Sequence, residues 1–199
     1  MKLYWCPRTR ASRIVWILEE LGAEYERIPV DIRNPETRAD PEFLATSPLG
    51  KVPALDDNGV RVADSAAICL YLADRYGAGH LAPSTEHADR GRFLFWMFFV
   101  PGGVEPAMAE KAGGWTPNRG AHGWGDFDTV IEAWENGLSG HPWILGETFS
   151  AADVMLGSSA VFLRAFGMLP ASPTLEAYAD RCLARPAYQR AMALEPGPG

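Results

Sequence analysis

The spacing of apolar positions changes along the chain, and each change marks an element. Residues 2–6 alternate as a short strand does, whereas 13–21 carry Ile14, Ile17, Leu18 and Leu21 on one helical face, with Gly22 placed to end the helix. A second strand over 25–30 completes a β-α-β unit whose strands are expected to be parallel. A polar stretch with a short helix over 42–45 leads to strands at 52–55 and 60–63. Asn58-Gly59 between them signals a hairpin. Asp64-Ser65 then precedes a helix over 66–76, where either residue is suited to cap the first turn.

Past the glycine-rich stretch 77–83 the pattern is almost wholly helical, with helices expected over 86–112, 127–138, 151–166, 174–184 and 187–194. This divides the chain into an α/β domain over 1–78, a linker over 79–85 and an all-helical domain over 86–199. Residues 93–100 are apolar all round, so at least one face is expected in a core. Pro101-Gly102-Gly103 directly after them should kink or break the helix. The glycine- and tryptophan-rich stretch 113–125 reads as a loop.

Composition narrows the function. The 199 residues are 47% hydrophobic, enough for a real core, and no apolar run is long enough to span a bilayer. The start of the chain enters a strand with no cleavable apolar stretch, so a cytoplasmic protein without a membrane partner is expected. A formal charge of −7 argues against nucleic acid, although Arg8, Arg10 and Arg13 form a local basic cluster. Cys6, Cys69 and Cys182 are too dispersed for a zinc site and odd in number, which points to reduced thiols and no metal.

Two segments carry candidate chemistry. A proline at the start of a strand, Pro53, cannot donate to a ladder; a cis Val52-Pro53 bond would turn the Val52 backbone outward to pair with an extended peptide, and a plain loop proline is the alternative. At Asp64-Ser65, a hydroxyl, backbone N–H groups and a helix dipole attract a carboxylate, while Asp64 suits an ammonium group. A purely structural cap is the competing reading.

These segments, in this order, resemble the glutathione S-transferases. The likeness runs through Tyr4 to Gly22, Leu49-Gly50-Lys51-Val52-Pro53-Ala54-Leu55, Asp64-Ser65-Ala66-Ala67-Ile68, Tyr71-Leu72, Arg75-Tyr76 and the capping box Ser150-Ala151-Ala152-Asp153. It implies a thioredoxin-like N-terminal domain (βαβ-α-ββ-α) joined to an all-α C-terminal domain, assembled as a homodimer. It also implies glutathione as co-substrate, with no further cofactor, and conjugation of a small hydrophobic electrophile in detoxification. Val52 would then hold the cysteinyl backbone across cis Pro53, Asp64 and Ser65 the γ-glutamyl end, with Lys51 near the peptide and Arg10 near the glycine carboxylate. Asp64 stands where the family usually has Gln or Glu, and Ser47 replaces a common Asn.

A free thiol is only about 3% thiolate at pH 7, so such an enzyme must stabilise the anion; lowering its pKa by ~2 units corresponds to ~2.7 kcal/mol. By the resemblance Thr9, followed by Arg10, is the first candidate for the hydroxyl donor, Tyr4 the second, with Ser12 expected as a helix cap. Cys6-Pro7-Arg8-Thr9 also resembles the start of glutaredoxin-like and cysteine-type proteins, which leaves thiol-disulfide exchange through Cys6 as an alternative. A non-catalytic binding module of the same fold is a third. Trp96, Phe99 and Met108 are the expected electrophile-pocket residues, with core packing the competing fate of each.

Overall fold

The computed structural model describes residues 1–195. Its elements run β1 (Lys2–Trp5), α1 (Ser12–Leu21), β2 (Glu26–Pro29), α2 (Pro35–Arg38), α3 (Pro41–Thr46), β3 (Ala54–Asp57), β4 (Val60–Ala63) and α4 (Ser65–Tyr76), then α5 (Arg90–Phe99), a π-helical turn (Val100–Val104), α6 (Glu105–Gly113), α7 (Phe127–Leu138), α8 (Ala151–Ala165), α9 (Pro173–Leu183) and α10 (Pro186–Ala193). Packing divides them into two units: 1–77 with 184–195, and 78–183.

The first unit is thioredoxin-like, a mixed sheet of order β2-β1-β3-β4 in which only β1 and β2 are parallel. Gly22 adopts φ +60° and closes α1 through the Ala23 N–H, which donates to the Leu18 carbonyl at 3.0 Å. Asn58 and Gly59, at φ +53° and +93°, make the two-residue turn between β3 and β4. The short helix α2 lies in the stretch where the apolar pattern showed only one helix. It is a single turn, set by Asn34 accepting from the Glu36 N–H at 2.9 Å and by Pro35 at its first position.

Helix α10 packs on α1, with Trp16 and Tyr188 edge to face at 5.0 Å and Arg185 forking onto Glu20 at 2.5 and 2.8 Å. A linear reading assigns that helix to the helical domain; the buried indole of Trp16 and this ion pair join it to the first unit.

In the second unit the stretch expected as one helix over 86–112 begins at Arg90 and is interrupted at 100–104, where Pro101 and two glycines widen the ladder into a π-helical turn. Helix α8 is buried almost throughout and starts at the Ser150–Asp153 capping box. The fully buried Asp153 carboxylate accepts from the Ser150 N–H and hydroxyl (2.9 and 3.0 Å), the Ile144 N–H (2.9 Å) and the Tyr178 hydroxyl (2.9 Å), so one residue ties α8 to α9 and to the preceding loop. Among the described residues no helix is long and apolar enough to cross a membrane.

Candidate functional site

The strand register gathers the site. Tyr4 pairs with Ala54 and Ala54 with Ala63, so the chain leaving β1 at Cys6, entering β3 at Val52-Pro53 and leaving β4 at Asp64 meets at one end of the sheet. Segments distant in sequence become neighbours there because two antiparallel pairings share β3. Val52-Pro53 is the cis peptide bond of the described chain, and Val52 lies outside the β3 ladder.

In the loop after β1, the Thr9 hydroxyl donates to the Cys6 carbonyl at 2.7 Å and accepts from the Ala11 N–H at 3.2 Å. Thr9 and Cys6 are half-buried and Arg10 is exposed. Arg8 is held at φ +57°, and its N–H donates to Glu195 at 2.8 Å. Ser12, expected as a cap, is the first residue of α1 and donates its hydroxyl to the other Glu195 oxygen at 2.6 Å. Tyr4 turns the other way: its ring packs on Phe43 at 5.4 Å in a cluster with Val30 and Ala54. Burial, followed by the Glu42 charge, raises its phenol above the ordinary value.

Ser47 braces the turn that leads into Val52. Its buried hydroxyl donates to the Lys51 carbonyl at 2.7 Å and accepts from the Lys51 N–H at 3.0 Å, which pins both polar groups of the residue before Val52. Gly50, at φ +59°, makes the intervening turn. Lys51 itself is exposed. Asp64, not Ser65, is the cap of α4: one carboxylate oxygen accepts from the Ala66 and Ala67 N–H groups at 2.8 and 3.3 Å. Its backbone sits at φ +79°, ψ +136°, a conformation costing a non-glycine residue about 1–3 kcal/mol and concentrated at ligand-holding positions. Ser65 follows as a buried first helical residue.

Residues 1–74 match the family model of the glutathione S-transferase N-terminal domain, and 105–181 that of its C-terminal domain. Glutathione S-transferase hmp2 of Hypomyces subiculosus is 33% identical over 180 residues, 84% of each chain. The chain belongs to the glutathione S-transferase family. The disulfide-bond oxidoreductase YfcG of Escherichia coli is 30% identical over 166 residues, covering 76% of this chain and 75% of that one. Among solved structures, a sphingomonad glutathione S-transferase complexed with glutathione superimposes with a TM-score of 0.78 at 29% identity, over 97% of this chain and 98% of that one.

The helical unit of this family member treats the three expected pocket residues differently. Trp96 is 6% exposed, edge to face with Phe95 and Phe99 at 4.9 Å from each, and a Cβ on Gly137 would lie 2.3 Å from its ring. Its indole is the wedge between α5 and α7. Phe99 is half-buried and, with Phe95, Phe98 and Val130, lines a cavity of about 380 Å³. Met108 lies half-buried on α6 and does not line that cavity.

Trp124 also lines the cavity, a residue the sequence left in an unread loop. Buried Glu110 holds it, accepting from the indole N–H at 3.3 Å and from His122 Nδ1 at 2.9 Å, while His122 stacks on the indole at 4.5 Å. The only prior signal was a carboxylate three residues before that loop.

Proposed function

We propose that this chain is a glutathione transferase that ionises the thiol of glutathione for attack on a small hydrophobic electrophile. The observation that carries the reading is the convergence of the Thr9 loop, Lys51-Val52-Pro53 and Asp64-Ser65 at one sheet end. The Val52 backbone pairs with the cysteinyl residue of glutathione. Ser65 and the α4 N-terminus receive the γ-glutamyl carboxylate and the remaining Asp64 oxygen its ammonium group, with Lys51 beside the peptide and Arg10 beside the glycine carboxylate.

Thr9 donates to the sulfur. Its hydroxyl is engaged with a neutral carbonyl, a bond worth about 1 kcal/mol net, whereas Ser12 is engaged with a carboxylate, worth about 2 kcal/mol, so Thr9 is the hydroxyl more readily turned to a thiolate. The thiolate attacks the electrophilic carbon, a C–S bond forms, and the leaving group departs with its bonding electron pair. In the helical unit, the Phe99 and Trp124 cavity is the candidate surface for an apolar electrophile. Titrating the ultraviolet absorbance of the thiolate on bound glutathione tests this: a midpoint well below that of free glutathione is expected, and an unshifted midpoint rejects the reading.

A second reading rests on Cys6, which is half-buried where Cys69 and Cys182 are fully buried, and on the likeness to the Escherichia coli oxidoreductase. The Cys6 thiolate would attack a disulfide, releasing one half as a thiolate; a first glutathione would displace the other half as a thiolate and take its place on Cys6, and a second would attack that mixed disulfide, restoring Cys6 and leaving as glutathione disulfide. Full reductase activity in Cys6→Ala would eliminate it.

A further inference from the structure

On the Tyr4 face of the sheet, β1 and β2 with α2 and α3 enclose an open cleft of about 580 Å³. Its floor is apolar, made by Ile28, Val30, Phe43 and the ring of Tyr4. Its charged lining is unbalanced, one lysine, Lys2, against Glu36, Asp40 and Glu42, and one Asp40 oxygen is already committed to capping α3 through the Phe43 N–H. None of Thr9, Arg10, Lys51, Val52, Pro53, Asp64 or Ser65 lines it.

Tyr4 supplies an independent observation. The residue is 5% exposed, and among the described residues no protein group is hydrogen-bonded to its hydroxyl. The oxygen is not sealed in protein either. Among the described residues the side-chain polar atoms enclosed without a partner are Trp134 Nε1 and Arg164 Nε, while Tyr4 borders the cleft, where the charges of Glu42, Lys2 and Asp40 act on its phenol.

We propose that this cleft is a second ligand site, separate from the thiol chemistry, and that it takes a small molecule with an apolar body and a protonated amine. The body lies on Ile28, Val30 and Phe43. The ammonium group donates to the Tyr4 oxygen and is drawn by the carboxylates of Glu36 and Glu42. A phenol that stays neutral at physiological pH is a good acceptor for such a donor, and the excess of carboxylates turns away anions, glutathione included.

Calorimetric titration of the whole protein at pH 7 with phenethylamine, 2-phenylethanol and phenylacetate tests the proposal. Phenethylamine is expected to bind saturably at one site, about tenfold tighter than the neutral alcohol, with phenylacetate weaker still. Saturating glutathione should not displace it. Tyr4→Phe, which keeps the ring on Phe43, should weaken phenethylamine binding about fivefold to tenfold without lowering the melting temperature, and Glu42→Gln should weaken it several-fold. Displacement by glutathione, equal binding of all three probes, or no saturable binding would overturn the proposal. So would unchanged affinity in Tyr4→Phe, or a loss of stability showing that the hydroxyl serves the fold.

Discussion

The Ser12 hydroxyl donates to the Glu195 carboxylate at 2.6 Å, across 183 residues of sequence, while the second carboxylate oxygen receives the Arg8 N–H. One acidic side chain thus spans the segment that carries Thr9 and Arg10. It also holds Arg8 in a left-handed conformation that a non-glycine residue adopts at a cost. Glu195→Ala is expected to lower stability by about 1–2 kcal/mol in urea denaturation and to reduce turnover by loosening Thr9. Unchanged stability and unchanged turnover would remove Glu195 from the support of the site.

Thr9→Ala should raise the pKa of the bound glutathione thiol by about 1–2 units and depress conjugation of an activated aryl halide about a hundredfold at neutral pH. Thr9→Ser should restore most of both, because only the hydroxyl is required. If the thiolate absorbance titrates identically in Thr9→Ala and wild type, the activating group lies elsewhere.

Burial pushes the Asp153 carboxyl up to about 6, against the opposing pull of its four hydrogen bonds. With the ordinary value near 4, the folded state binds this proton more tightly, so between roughly pH 4 and 6 this group's contribution to stability falls as pH rises, then levels off. Urea denaturation of wild type and Asp153→Asn across that window should differ by this slope. Asp153→Ala, which strands several buried donors, is expected to cost about 3–5 kcal/mol.

Asp57 behaves in the opposite sense. Burial alone would raise its carboxyl, but the hydroxyls of Tyr76 (2.6 Å) and Tyr71 (2.8 Å) and the Arg75 guanidinium outweigh it and hold the group below the usual range. Its contribution is therefore complete above the ordinary carboxylate pKa and lost as pH falls through the lowered one. Tyr71→Phe should weaken the protein near neutral pH by about 1–2 kcal/mol and shift acid unfolding to higher pH, as followed by circular dichroism.

Gly137→Ala places a methyl group 2.3 Å from the Trp96 ring, and a buried indole has little room to yield. A loss of about 1–3 kcal/mol is expected, and Trp96→Phe in the same chain should recover part of it. A melting temperature unchanged by Gly137→Ala would mean that α5 and α7 move apart freely.

What the sequence showed depends on how local each signal is. The Asn58-Gly59 hairpin, the Gly22 helix end and the Ser150–Asp153 capping box were legible because a few adjacent residues carry the whole conformational preference. The turn of α2 was missed because one helical turn has no period to detect; the Asn34-Pro35 cap was its single trace. The broken helix was readable at Pro101-Gly102-Gly103 as a kink, but not as the π-helical turn, which depends on ladder geometry.

By itself, then, the sequence determined the order of the strands and longer helices and the family, since caps, turns and strand alternation are written in neighbouring residues. Tertiary structure alone decided where side chains spend their polar groups. It set Tyr4 toward Phe43 and the cleft, Ser12 toward Glu195, Ser47 onto the Lys51 backbone and Trp124 onto Glu110. Those choices follow from strand register and helix packing, which bring together residues up to 183 positions apart and which no local preference encodes.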